Sequence, residues 1–250
     1  MLCSDGTGNS NIKGRGTNVF KLYEAVDFSL SDCEQIAFYD DGVGTQEFKP
    51  LKLLGGAFGW GLSRNVRHLY KELVRSYKKD DKIYLFGFSR GAFTVRRLAG
   101  FICKMGILDN TAYIDNKQLD DAVWHLFRQY RAKNPAFLEK FYDPAITLIF
   151  EKWIHKLTDK QLKFCDTNPS IEFIGVWDTV AAVGLPFDWA TYILDRVIFR
   201  FQFKDHKLYK NEDNEVNKVN KAYHALSIDE QRQSFHPLLW VEDSRIEQVW

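Results

Sequence analysis

Gly87-Phe88-Ser89-Arg90-Gly91 stands between two segments of different periodicity, and this arrangement constrains the fold more than any other feature of the chain. Before it, Lys82-Ile83-Tyr84-Leu85-Phe86 is a short, nearly continuous apolar run that follows the charged Lys78-Lys79-Asp80-Asp81, the pattern of a parallel strand buried on both faces. After it, Phe93, Val95, Leu98, Ala99 and Ile102 recur at helical spacing as far as Gly106, a glycine stop. Strand, tight turn and helix around G-x-S-x-G is the pattern of a nucleophile elbow, in which the serine hydroxyl is lifted above the sheet. The competing interpretation is a strand-to-helix turn with an incidental serine.

The rest of the chain suits an α/β class, with a mostly parallel sheet flanked by helices. A chain of 250 residues is long enough for one large core, so we expect a single domain over 1–250 with a helical cap inserted at 114–168. Asp5-Gly6-Thr7-Gly8-Asn9 resembles the turn after a first strand, yet only Met1 to Ser4 precede it, fewer than a typical buried strand needs. Thr17 opens a short helix carrying Val19, Leu22, Tyr23 and Val26, followed by a strand over 35–39. Ser63 is expected to cap a helix with Val66, Leu69, Tyr70, Leu73, Val74 and Tyr77 on its apolar side. Trp124, Phe127, Tyr130, Phe137, Phe141, Phe150 and Trp153 give the insertion its apolar surface, as core packing or as a substrate lining. The sheet resumes at 171–177 and its last strand covers 246–250.

Composition narrows the function. Lys and Arg number 34 against 33 Asp and Glu, a net charge of +1, so no nucleic-acid partner is expected. Cys3, Cys33, Cys103 and Cys165 are scattered without a C-x-x-C pair, which suits reduced thiols and predicts no metal site. Neither the Asp40 to Thr45 segment nor the glycine-rich 55–61 segment ends in G-K-[ST], and no G-x-G-x-x-G opens a helix after a strand, so no nucleotide or other cofactor is expected. Without a signal peptide or a long uncharged apolar run, the chain is expected to be soluble and cytoplasmic, with export open only to a signal-independent route. In the segment 187–203, Ala190, Ile193, Leu194, Val197, Ile198 and Phe201 share one helical face, which either packs on the domain or rests on a lipid surface.

A serine hydroxyl needs a histidine to take its proton and a carboxylate to orient that histidine. Asp178, just past the strand at 171–177, is the candidate acid, although an Asp there also suits a turn cap. Candidate oxyanion donors are the backbone amides of Arg90 and of Gly6 or Thr7. Of the histidines, His68, His125, His155 and His206 suit structural or solvated roles, which leaves His224 and His236. His224 follows Ser89 and Asp178 in the required order, and is either the base or a structural residue of a helix.

Asp5-Gly6-Thr7-Gly8-Asn9, Thr17-Asn18-Val19, Tyr39-Asp40-Asp41-Gly42-Val43-Gly44-Thr45, Gly87-Phe88-Ser89-Arg90-Gly91-Ala92, Gly175-Val176-Trp177-Asp178-Thr179-Val180 and His224-Ala225-Leu226-Ser227-Ile228-Asp229-Glu230 occur in this order. Together they closely resemble the α/β-hydrolase-domain family that includes type VI secretion phospholipase effectors. The resemblance implies a Ser-Asp-His esterase acting on phospholipid acyl esters, with Ser89 and Asp178 at the matching positions. It also implies a histidine-bearing turn after Glu247-Gln248-Val249-Trp250. On that basis the sequence is expected to be cut short at both ends and to hydrolyse esters poorly as it stands. A non-catalytic module that binds a lipid or protein partner is the alternative from another class.

Overall fold

A computed structural model of the chain describes residues 1–6, 16–29, 34–42, 56–132, 162–180, 218–229 and 237–250, with the backbone alone for 56–61. Six strands, β1 (Leu2–Ser4), β2 (Phe38–Asp40), β3 (Ile83–Phe88), β6 (Ile171–Trp177), β7 (Val219–Ala225) and β8 (Ile246–Val249), form one sheet in the order β2-β1-β3-β6-β7-β8. Every neighbouring pair is parallel. Among the described residues the α-helices are α1 (Asn18–Glu24), α2 (Gly56–Ser76), α3 (Arg90–Met105) and α4 (Asn116–Ala132), and the short strands β4 (Ile107–Leu108) and β5 (Phe164–Asp166) pair antiparallel outside the main sheet. The protein is thus an α/β fold with an open parallel sheet.

The short β1 is a strand after all, because it is central. Leu2, Cys3 and Ser4 pair with β2 on one side and β3 on the other, and all three are buried. Burial alternates along β3, with Ile83, Leu85 and Gly87 buried between the half-buried Tyr84, Phe86 and Phe88. Ile83, Leu85, Ile174, Val176, Val219 and Ala222 join one core with Val66, Leu69, Tyr70, Val95, Leu98, Phe101 and Ile102 of α2 and α3. The opposite face carries a row of rings, Phe86 to Phe173 at 5.7 Å and Phe173 to Tyr223 at 5.2 Å.

Local signals explain most of the elements. Thr17 caps α1 by accepting the Phe20 amide at 3.1 Å. Gly106 ends α3 at φ 78, in the left-handed region that favours glycine. Ser63, in contrast, is not a cap: α2 begins at Gly56 and Ser63 lies within it, because the glycine-rich stretch continues the helix instead of preceding it. His224 is on strand β7, not in a helix; Val219, Ala222 and His224 of this strand are buried while Lys221 and Tyr223 are exposed.

The 114–168 segment is not wholly helical. It supplies α4, but Phe164–Asp166 forms β5 against β4. Leu119, Ala122, Val123, Leu126, Phe127 and Tyr130 of α4 belong to the main core, so this helix is a flanking layer of the domain. Phe101 of α3 packs at 5.2 Å from both Phe127 and Tyr130. Phe137, Phe141, Phe150 and Trp153 lie outside the described residues, as do Cys33 and the whole of 187–203. Cys3, Cys103 and Cys165 are free thiols. No helix among the described residues is long and apolar enough to cross a membrane.

Candidate active site

The chain runs from β1 to β2 on one side and then crosses back to β3 on the other, so strand order reverses between β1 and β3. In open α/β sheets, the carboxyl edge at such a reversal is where ligands bind. Ser89 follows β3 and Asp5 follows β1, directly at that point.

Ser89 has φ 54 and ψ −118, and its hydroxyl does not cap α3. A positive φ is costly for a non-glycine residue and persists only where the surroundings hold it. Here the amide of Ser89 donates to Trp177 O at 2.9 Å, and its carbonyl accepts from Phe93 N at 3.3 Å and Val180 N at 3.5 Å. The elbow and the Asp178 segment are therefore tied together through the backbone. The turn is also close-packed: a Cβ on Gly87 would lie 2.6 Å from Ala92 Cα, and one on Gly91 would overlap Ser4 O and come within 2.5 Å of Asp5 O. Glycine at these two positions lets α3 approach β1 and β3 closely.

Asp178 also has a positive φ, 44, a conformation that Asp tolerates better than most residues. Its amide donates to Ala225 O at 3.0 Å and its Oδ1 accepts from Ser227 N at 2.5 Å, joining the ends of β6 and β7. Asp229 is a second carboxylate beyond β7, exposed on the turn at 228–229.

His224 is buried, and its Nε2 accepts from the Thr179 amide at 3.2 Å. Its Nδ1 faces Gln248 Oε1 at 3.4 Å. Gln248 is itself held by Trp240, whose amide donates to Oε1 at 2.8 Å and whose carbonyl accepts from Nε2 at 3.1 Å. The Trp240 ring meets the imidazole edge-on at 5.6 Å, and the Arg96 guanidinium covers Trp240 at 4.4 Å. Burial, with Arg96 adding its charge, lowers the His224 pKa to about 4, so the imidazole is neutral at ordinary pH. Of the other described histidines, His68 packs against Phe38 and His125 against Trp124. His155, His206 and His236 lie outside the described residues.

Arg90 opens α3, where first-turn amides have no acceptor within the helix. Burial pulls its guanidinium below the ordinary arginine range. Gly6 N donates at 2.6 Å to Asp5 Oδ1, so that amide is already engaged; Thr7 lies outside the described residues. Asp5 is buried and also accepts at Oδ2 from Thr17 Oγ1 at 2.5 Å and Tyr39 OH at 2.6 Å. Burial and the neighbouring Asp5 push the Tyr39 hydroxyl upward, which keeps it a donor. Beside it, Asp40 accepts from Ser4 Oγ at 3.3 Å and Asn65 Nδ2 at 3.0 Å, and burial raises its carboxyl pKa.

The sequence reading missed these supports: Thr17 and Tyr39 for the β1 loop, and Gln248, Trp240 and Arg96 for His224. The first pair was visible only as ordered motifs, and nothing local to the second group signalled it.

Comparison with known proteins places these features in a family. A family model described as the type VI secretion system phospholipase effector Tle1-like catalytic domain matches residues 1–250. The chain is also similar to the uncharacterized protein YEL023C of Saccharomyces cerevisiae, 29% identical over 202 residues, which cover 74% of this chain and 27% of that protein. The chain thus corresponds to only about a quarter of the length of this curated relative. No solved structure matches it.

Proposed function

The chain belongs to the family of Tle1-like phospholipase effector catalytic domains of type VI secretion, and from that premise we propose that it is a serine-dependent hydrolase of phospholipid acyl esters. One observation carries this reading: Ser89 has positive φ at the carboxyl edge of β3 and is hydrogen-bonded through its backbone to the segment presenting Asp178. In this proposal Ser89 Oγ attacks the acyl carbonyl, and the Arg90 amide with one from the loop after β1 receives the oxyanion. Gly6 N is occupied by Asp5, which favours Thr7 for that second donor. Asp178 orients the imidazole that takes the serine proton and later returns it to the leaving alcohol. With both ring nitrogens of His224 facing scaffold groups, the base in this reading is a histidine outside the described residues. Peripheral contact with a lipid surface and signal-independent export belong to the same proposal.

The alternative, a non-catalytic module binding a lipid or protein, draws on the engagement of His224. A fluorophosphonate probe separates the two. Labelling that disappears in Ser89→Ala, together with fatty-acid release from phosphatidylcholine or phosphatidylethanolamine vesicles, supports the hydrolase. A folded, unlabelled protein that still binds the vesicles supports the module.

A further inference from the structure

We infer that His224 is a positioning residue whose Nε2 holds the Thr179 amide and thereby fixes the segment that presents Asp178. The inference rests on the role proposed above for Asp178.

A backbone amide can only donate, so the 3.2 Å contact from Thr179 N requires a lone pair on Nε2. The ring hydrogen is then on Nδ1, where the acceptor Gln248 Oε1 stands at 3.4 Å. Gln248 cannot turn its amide around without losing both bonds to Trp240, so the tautomer is set from β8. A general base must offer its free lone pair to the serine, and the His224 lone pair is already used. The Asp178 segment needs such an anchor. Asp178 sits at φ 44, and the next residue is gripped on both sides, its amide by His224 and its carbonyl by Leu238 N at 2.7 Å. Leu238 is in turn held by Arg96, whose Nη1 donates to its carbonyl at 2.5 Å. Side chains from α3, β7 and β8 thus converge on one turn, a level of support typical of strained functional backbone.

The test compares His224→Gln, whose side-chain oxygen reaches where Nε2 stands, with His224→Leu, which fills similar space without an acceptor. Two readouts are taken on the full chain: the rate of Ser89 labelling by fluorophosphonate, and hydrogen exchange at the Thr179 amide. His224→Gln is expected to keep the parent labelling rate within about threefold and to keep Thr179 protected. His224→Leu is expected to lose about 10- to 100-fold in both, the range for an unpaired buried donor. A labelling rate in His224→Gln as low as in Ser89→Ala, with Thr179 still protected, would make His224 the base and overturn the inference. Equal Thr179 protection in all three proteins would also overturn it. If His224→Leu does not fold, His224→Gln decides alone, since an amide cannot replace a base. If the parent itself is not labelled, the hydrolase proposal fails, and the exchange measurement still decides the clamp.

Discussion

The burial of neutral His224 makes a measurable demand on the pH dependence of stability. Its ordinary pKa of 6.5 falls to about 4 in the fold, chiefly through burial and secondarily through Arg96. The unfolded chain therefore takes up a proton near pH 6.5 while the folded protein resists protonation until about pH 4. The stabilising contribution is complete above the unfolded value and is lost as pH falls through this window. At about 1.4 kcal/mol per pH unit, the fall from 6.5 to about 4 corresponds to roughly 3 kcal/mol. Other titrating groups overlap the same range, so the measured quantity is the stability of the parent minus that of His224→Gln, which cannot titrate. Urea unfolding at pH 7.5 and at pH 4 should show the parent losing about 3 kcal/mol relative to the variant, close to 1 M in midpoint for a slope near the upper end of the usual range. A difference that stays constant within about 1 kcal/mol across that interval would refute the reasoning. It would mean that the folded imidazole accepts a proton freely and does not hold the Thr179 amide.

Three further outcomes follow from the same geometry. Gly91→Ala should cost roughly 3 kcal/mol in urea unfolding and slow Ser89 labelling, because the added Cβ overlaps the Ser4 carbonyl and neither backbone can yield; an unchanged midpoint would contradict the close approach of α3 to β1. Tyr70→Phe should lose about 2 kcal/mol, since the buried hydroxyl donates to Gly106 O at 2.8 Å and accepts from Leu108 N at 3.2 Å, and both groups are left unpaired. Asp5→Asn should lose about 2 kcal/mol because an amide cannot accept from Gly6, Thr17 and Tyr39 together: with its oxygen kept on the Gly6 amide, its NH2 turns both hydroxyls into acceptors and leaves their hydrogens without this carboxylate. The control Asp120→Ala, which removes an exposed partner of Lys71, should change stability by less than about 0.5 kcal/mol.

The elements that the sequence made legible are those whose signal lies within a few residues. The 171–177 strand, the strand before Ser89 and the helix ending at Gly106 all follow from period and punctuation. β1 was harder, because three residues make a strand only when neighbours on both sides pair with them, and those neighbours lie 36 and 83 residues away in sequence. β5 was harder still. Its half-buried Phe164-Cys165-Asp166 has no alternation strong enough to mark it within a run of helical pattern, and its partner is the two-residue β4.

The site divides in the same way. Of the proposed site residues, the positions of Ser89 and Asp178 were legible because each follows a strand, and the strand ends bring them to one edge. The environment of His224 was not, because it depends on strand order: Thr179 follows β6, Gln248 is on β8, and only their placement on either side of β7 puts both beside the ring. Without that order the histidine in the His224 to Glu230 motif has the right place in the chain for a base. With it, the same residue has no lone pair to give to Ser89. Asp5 is the complementary case. Its donors Thr17 and Tyr39 are 12 and 34 residues away, yet each lies in a motif of its own, so the ordered motifs were a record of one buried carboxylate and the loop it holds. Family motifs therefore report shared support for a site as readily as its reacting groups, and only the hydrogen-bond partners in the fold distinguish the two.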